Sequence, residues 1–172
     1  GIYHAMECAA RYQSPSDAAL AEAVNRDFTT LCEALERARI IFITFGTAYA
    51  YHINGSGAIA GNCHKLPAST FHRSILSIDD VCRMWRPLLQ RLREAGKRVI
   101  LTVSPVRHVA DGLHGNNISK ATLLLATEAL ETEYFPAYEI LCDDLRDYRF
   151  YAADLKHPSD TAIDYIYEKF AD

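Results

Sequence analysis

This sequence lacks the features that mark disulfide-stabilised, membrane-spanning, secreted or nucleic-acid-binding proteins. Its five cysteines are odd in number and form no Cys-x-x-Cys pair, which argues against a disulfide framework and favours free thiols in a reducing compartment. No apolar run is long enough to span a bilayer and no segment resembles a signal peptide, so we expect a cytoplasmic protein without a membrane span. The formal net charge of −4 argues against nucleic acid as a partner.

Internal repeats and low-complexity linkers are absent as well. The chain has 172 residues, of which 49% are apolar, a content typical of a globular protein rather than a disordered one. A chain of this length buries a core of ordinary size. We therefore expect a single domain over residues 1–172.

Helical periodicity is present in four segments. Apolar residues at steps of three and four predict a helix over residues 17–38. Ser77 is the expected N-cap of a second helix, which Pro87 should kink or break. A third helix is expected to begin at Ser119, and the last one near Ser159.

Two short runs, "RIIFITFG" and "KRVILTVSP", are β-branched and apolar on both faces. Such runs are typical of strands buried in a parallel sheet, and they predict neighbouring central strands at residues 40–45 and 98–104. A further short strand is expected at "YEIL" or "RFY". The alternation of strands and helices indicates an α/β fold with a parallel sheet.

Ligand sites in such sheets lie at the carboxyl ends of the strands. That rule selects the loop after the first strand, which contains Gly46, the stretch "SPVRHVADGLHGNNISK" after the second, and "ADLKHPSD" before the last helix. In the last stretch, His157 is a candidate general base whose tautomer Asp154 would fix. The alternative is a polar loop in which Ser159 caps the helix.

The Gly-rich loop and the basic residues offer weaker candidates. Asn62, in "GNCHK", is placed to donate its side-chain amide to an oxyanion. A thiol nucleophile or a metal site is the alternative for this part of the sequence, with ligands drawn from His52, Cys63, His64 and His72. Anions are expected to bind basic residues, although most such residues are solvated; the candidates are Lys65, Arg73, Arg107 and Lys120. Ser104 ends a strand, but the sequence around it is not a nucleophile elbow.

Three longer strings resemble the GSCFA domain family, bacterial proteins related to the SGNH (GDSL-like) hydrolases and acyltransferases. They are "TFGTAYAYH…AGNCHKLP", "LTVSPVRHVADGLHGNNISKATLLLA" and "YFPAYEILCDDLRDYRFYAADLKHPSDTAIDYIYEKF". The resemblance runs from about Phe42 to Phe170. It implies a three-layer, flavodoxin-like parallel sheet of the SGNH type.

The resemblance also implies roles for individual residues. The string "DLKHPS" is similar to the block that supplies the acid and the base of an SGNH triad, which makes Asp154 and His157 catalytic. "TFGT" is similar to the Gly block of those enzymes, so Gly46 is expected to line the oxyanion hole. The usual Asn-Asp of that block is absent here, and Asn62 with the neighbouring His64 is the expected substitute for binding the oxyanion or substrate.

The Gly-Ser-Cys-Phe-Ala motif that names the family does not occur in the sequence, although it is the counterpart of the block that carries the nucleophilic serine. The opening "GIYHAM" resembles the segment that follows that motif. We therefore expect a domain that is incomplete at its N-terminus, lacks its first strand and exposes one sheet edge. An unpaired edge invites a partner, so self-association as a homo-oligomer is expected there.

The function implied by the resemblance is that of an esterase or acyltransferase with a Ser-His-Asp-like mechanism and no cofactor. Its substrate would be a small-molecule or carbohydrate-linked acyl ester. Two alternatives stay open: an inactive, truncated SGNH-like binding module, and a metal-binding protein. We expect the 172-residue chain by itself to hydrolyse simple esters no faster than its His157→Ala variant, because the nucleophile is not found in it.

Overall fold

The computed structural model describes residues 1–171, which form two compact units. The first unit combines Gly1–Ala38 with Tyr49–Ile75, and the second combines Arg39–Ala48 with the chain from Leu76 onward. Parallel strands alternate with helices in the second unit, which confirms the α/β class. None of the helices in residues 1–171 is both long and apolar enough to cross a membrane.

The strands are short, and the helices contain more of the chain than the strands do. The strands are β1 (Tyr3–His4), β2 (Gln13–Ser14), β3 (Ile40–Phe45), β4 (Tyr49–Ile53), β5 (Ile59–Ala60), β6 (Phe71–Ile75), β7 (Arg98–Val103) and β8 (Glu133–Tyr134). The helices are α1 (Asp17–Arg37), α2 (Ile78–Glu94), α3 (Gly112–Ala129), α4 (Ala137–Glu139) and α5 (Asp160–Ala171). A π-helical turn at Ile140–Leu145 follows α4 directly.

A parallel sheet in the order β3-β7-β8 forms the centre of the second unit. Strands β3 and β7 pair in register from Ile40 opposite Arg98 to Phe45 opposite Val103, so the predicted parallel neighbours are confirmed. The prediction that both are central strands is wrong for β3, which is an edge strand within residues 1–171. The third strand is β8. The segment "YEIL" is helical, whereas in "RFY" the first two residues belong to a 3-10 turn and Tyr151 forms an isolated β-bridge with Pro158.

The two faces of this sheet are covered unequally. Helices α2 and α3 pack on one face, where Val99, Leu101 and Val103 of β7 are buried. On the other face Phe42 is 48% exposed, and the ring of Phe170 from α5 meets it edge-on at 4.7 Å. The apolar character of β3 on both faces therefore does not reflect burial on both faces.

Local signals explain most of the helix boundaries. The Ser77 hydroxyl accepts from the Asp80 N–H while the Asp80 carboxylate accepts from the Ser77 N–H, a capping box that starts α2 as predicted. Pro87 does not break α2, which is continuous from Ile78 to Glu94, and it lies on the exposed side of the helix. The alternative, a kink at Pro87, stays a prediction. Helix α3 begins at Gly112 rather than at Ser119, whose hydroxyl instead accepts from the Ala48 N–H at 2.7 Å.

The first unit contains α1 and an antiparallel sheet in the order β5-β4-β6. Helix α1 begins at the predicted residue and ends one residue before the predicted one. None of its residues is buried, and Phe28 and Leu31 of its apolar stripe are more than 60% exposed. Within the unit, α1 contacts β1 and β2, which are two residues long and too short to cover a helix of 21 residues.

Candidate functional site

The segment with the predicted acid–base pair is a loop closed on itself just before α5. The Ala152 N–H donates to the His157 carbonyl at 2.8 Å, and Tyr151 and Pro158 form an antiparallel bridge beyond it. Inside the loop, the Leu155 N–H donates to the Ala152 carbonyl at 2.9 Å, and Leu155 takes a left-handed φ of 57°. Closure of this kind holds the loop residues in one arrangement.

Asp154 makes contacts inside this loop with both of its carboxylate oxygens. Its Oδ1 accepts the N–H groups of Lys156 at 2.9 Å and His157 at 3.0 Å. Its Oδ2 lies 2.6 Å from Nδ1 of the His157 ring. These hydrogen bonds, with the His157 N–H first, then the Lys156 N–H and the imidazole, hold the Asp154 pKa well below its usual range.

The ionised carboxylate also selects the tautomer of His157. A carboxylate without a proton only accepts hydrogen bonds, so Nδ1 of His157 must carry the proton that is shared with Asp154. Nε2 of the neutral ring then has a free lone pair, and none of the described residues hydrogen-bonds to it. The His157 side chain is 60% exposed, which leaves this lone pair accessible from solvent. The arrangement is that of a general base whose orientation is fixed by its partner.

A buried lysine joins the carboxyl ends of β3 and β7. Lys120, on α3, is 1% exposed, and its Nζ donates to the carbonyl of Gly46 at 2.7 Å and to that of Ser104 at 2.6 Å. Burial lowers the pKa of this amine to about 8, because a charge is costly away from water. Gly46 follows β3 directly and Ser104 follows β7 directly, so Lys120 holds the two strand ends together.

Other polar side chains fix the same edge of the sheet. Nε2 of His108 lies 3.1 Å from the Gly46 carbonyl oxygen, and the His108 N–H donates to Oδ1 of the buried Asn116 at 2.9 Å. The Ser119 hydroxyl, fully buried, bonds the Ala48 N–H. The segment after Gly46 is therefore hydrogen-bonded to α3.

Arg107 connects this edge to the loop of Asp154. Its backbone N–H donates to the Lys156 carbonyl at 3.2 Å, and its Nη1 donates to the Leu155 carbonyl at 3.4 Å. The next residue along the chain is His108, which contacts Gly46. A single short stretch after β7 thus contacts both the Gly46 end of β3 and the loop that carries His157. That His157 and Gly46 lie in one cleft is a prediction.

The predicted oxyanion residues Asn62 and His64 lie in the first unit, where they hold a loop in shape. Oδ1 of Asn62 accepts the His64 N–H at 2.7 Å. His64 is buried, and its Nε2 lies 2.9 Å from the Ala5 carbonyl oxygen. Gly61 lies just before these two residues, and its position requires glycine, because a Cβ there would collide with the Glu7 backbone. The role of both residues in binding an oxyanion or substrate stays a prediction.

The remaining sequence candidates are placed separately. The His52 and His72 rings stack nearly parallel, with centroids 4.8 Å apart, so their nitrogens do not converge on one point. Within residues 1–171, no group of three or more His, Cys, Asp or Glu side chains is arranged to hold a metal ion. Ser104 uses its hydroxyl to accept the Val106 N–H at 3.2 Å, a local turn contact.

Lys120 is the residue whose importance sequence reasoning missed, because an isolated lysine is usually solvated. The position of Lys120 along the helix was the sequence signal for its burial. The buried residues of α3 recur at helical spacing and Lys120 is one of them; they are Asn116, Ser119, Lys120, Leu123, Ala126 and Thr127. A lysine on the buried stripe of a helix needs acceptors inside the protein. The carbonyls of Gly46 and Ser104 supply them.

One protein family matches almost the whole chain. The model of the GSCFA family matches residues 1–170, a longer stretch than the resemblance from Phe42 to Phe170. The chain belongs to the GSCFA family. No curated protein and no solved structure matches the chain.

Proposed function

We propose that this protein is an esterase or acyltransferase of the SGNH type, which acts on an acyl ester with His157 as the base. One observation carries the proposal: Nδ1 of His157 is bonded to the Asp154 carboxylate at 2.6 Å while Nε2 has no partner within the described chain. This is the geometry in which a histidine removes a proton from a hydroxyl nucleophile and returns it to the leaving group. Asp154 fixes the ring and stabilises the imidazolium that forms.

The unpaired edge of β3 supports a position for the nucleophile. Within residues 1–171, β3 pairs with β7 on one side only. The carboxyl ends of parallel strands meet at one edge of a sheet, so a strand added beside β3 would end next to Gly46. A Gly-Ser-Cys-Phe-Ala segment in that place would bring its serine to the edge that Lys120 and Arg107 organise.

An apolar pocket near His157 suits the acyl part of such a substrate. It has a volume of about 300 Å³ and is lined by Pro158, which follows His157, by side chains from α5, and by residues that follow β7 and β8. Its lining residues are Pro105, Phe135, Ala137, Pro158, Ile163, Ile166, Tyr167 and Phe170. Apolar walls with a few polar groups at one end are typical of sites for small organic ligands.

The second candidate function is that of a binding module without catalysis. It is favoured by the exposure of His157 and by the lack of any hydroxyl or thiol on its Nε2 within the described residues. Such a module would use the same pocket to hold an acyl ester without cleaving it.

Ester hydrolysis separates the two candidates. We expect the 172-residue chain to hydrolyse a p-nitrophenyl ester no faster than its His157→Ala variant. The same chain, preceded by a Gly-Ser-Cys-Phe-Ala segment, should gain an activity that His157→Ala removes, since loss of a triad member costs about 10⁴-fold. The matched control is His114→Ala, which changes an exposed histidine on α3. An extended chain that stays inactive, or whose activity survives His157→Ala, would favour the binding module.

A further inference from the structure

A second pocket, distinct from the apolar one, lies behind the acid–base loop. It has a volume of about 150 Å³, which corresponds to about five water molecules in the liquid. Two arginines and two tyrosines are part of its lining, although apolar atoms make up most of the lining surface; the lining residues are Arg107, Leu141, Cys142, Arg146, Asp147, Tyr148 and Tyr151. Since sites for whole drug-sized ligands start at about 300 Å³, this pocket is suited to one group of a ligand.

The guanidinium of Arg107 is held in place without an acidic partner. It lies 4.0 Å above the ring of Tyr151 and 5.6 Å from the ring of Tyr148, and it donates to the Leu155 carbonyl. No carboxylate within the described residues pairs with it. A guanidinium has five N–H donors, so donors remain for a further acceptor.

Arg146 adds a second unpaired cation to the same pocket. It follows the π-helical turn at Ile140–Leu145 and takes a left-handed conformation, with φ 45° and ψ 20°. This conformation is unfavourable for a residue with a Cβ, and it is normally taken by glycine. No acidic side chain in residues 1–171 pairs with the Arg146 guanidinium.

The other groups in the pocket do not neutralise the arginines. Burial raises the pKa of the Cys142 thiol, and burial likewise raises the pKa of the Tyr151 phenol, so both stay neutral at pH 7. Asp147 is the acid of the lining, and it is engaged with Arg149: its Oδ1 accepts the Arg149 N–H at 2.9 Å and its Oδ2 lies 3.7 Å from the Arg149 Nε. The pocket keeps a net positive charge.

From these observations we infer that the pocket of Arg107 and Arg146 binds an oxyanion group, a carboxylate or a phosphate, of the substrate. Guanidinium groups bind such anions through paired N–H donors, and neutral phenols donate a further hydrogen bond. Arg107 also bonds the carbonyls of Leu155 and Lys156, so an anion here would sit against the loop that orients His157. That the anion belongs to the substrate rests on the proposed function; that the pocket binds an anion does not.

Binding of two simple anions tests the inference without any turnover. Inorganic phosphate and succinate are titrated separately into the 172-residue chain in a low-chloride buffer, by calorimetry and by NMR. We expect saturable binding of at least one probe, and the tighter of the two identifies the group. Arg107→Gln should weaken that binding about tenfold or more, because a hydrogen bond between charged groups is lost.

Arg146→Gly is the second variant, chosen because glycine favours the backbone conformation at this position. The variant should be at least as stable as the natural chain. It should nevertheless bind the anion about tenfold more weakly, because one guanidinium is removed. Arg91→Gln, on the exposed side of α2, is the control and should change nothing. The inference is overturned if neither probe binds saturably, or if Arg91→Gln weakens binding as much as Arg146→Gly does. If the chain preceded by the Gly-Ser-Cys-Phe-Ala segment shows no ester hydrolysis that depends on His157 while the anion still binds, only the proposed function is removed.

Discussion

Replacement of Lys120 by methionine should change how the stability of the protein depends on pH. The buried amine has a pKa of about 8 in the folded chain and 10.5 as its ordinary value. Between these two values the unfolded chain binds more protons than the folded one, so the free energy of unfolding rises with pH. The contribution of Lys120 is therefore most unfavourable below pH 8 and is relieved as the pH approaches 10.5.

The size of this effect follows from the two pKa values. With one proton and these values, the free energy of unfolding gains about 2.5 kcal/mol from Lys120 between pH 7 and pH 10. Cys142, which lies near the amine, acts in the opposite direction, because burial raises the pKa of its thiol and its ionisation opposes folding at high pH. Comparison of the natural chain with Lys120→Met separates the two groups, since both chains retain Cys142.

Urea denaturation at pH 7, 8, 9 and 10 measures the difference directly. At each pH we take the free energy of unfolding of the natural chain minus that of Lys120→Met. We expect this difference to increase by about 2.5 kcal/mol from pH 7 to pH 10. Arg91→Gln, which removes an exposed cation, should follow the natural chain. Parallel pH profiles for the natural chain and Lys120→Met would refute the reasoning and show that the amine is equally protonated in both states.

Three further outcomes are expected. Leu101→Ala, at a residue with no exposed surface, should lower the free energy of unfolding by about 2–5 kcal/mol in urea denaturation; a loss below 1 kcal/mol would contradict the core described above. Ser77→Ala should cost about 1 kcal/mol through loss of the capping box, and an unchanged urea midpoint would mean that the box adds no stability. Asp154 should stay ionised well below its usual pKa range, so the stability it contributes is retained above that range and lost as the pH falls through the lowered value. A carboxyl ¹³C titration by NMR checks this, and an ordinary titration would exclude the described hydrogen bonds.

Short-range features of the fold were predictable from the sequence. The strands at residues 40–45 and 98–104 follow from their β-branched composition, and the start of α2 follows from the spacing of Ser77 and Asp80. The contact of Asp154 with His157 also follows from spacing, because both side chains belong to one tight loop. Each of these depends on residues a few positions apart.

Features that depend on distant residues were not predictable. Nothing near Lys120 in the sequence indicates that its acceptors are the carbonyls of Gly46 and Ser104. The hydroxyl of Ser119 looks like a helix cap until Ala48 is known to lie beside it. Strand β8 has two residues and carries no periodicity of its own, so its position depends on β7.

The closed loop at residues 152–157 depends little on the rest of the fold, so it is a candidate for transfer into another protein. Its shape depends mainly on hydrogen bonds between its own residues, together with two hydrogen bonds from Arg107, which follows β7 by four residues. We therefore expect residues 150–159, placed between two antiparallel strand ends of another protein, to keep the pairing of Asp154 with His157. The acid–base pair can therefore be exchanged between scaffolds as one piece of chain, whereas the Lys120 contacts, which join three distant segments, cannot.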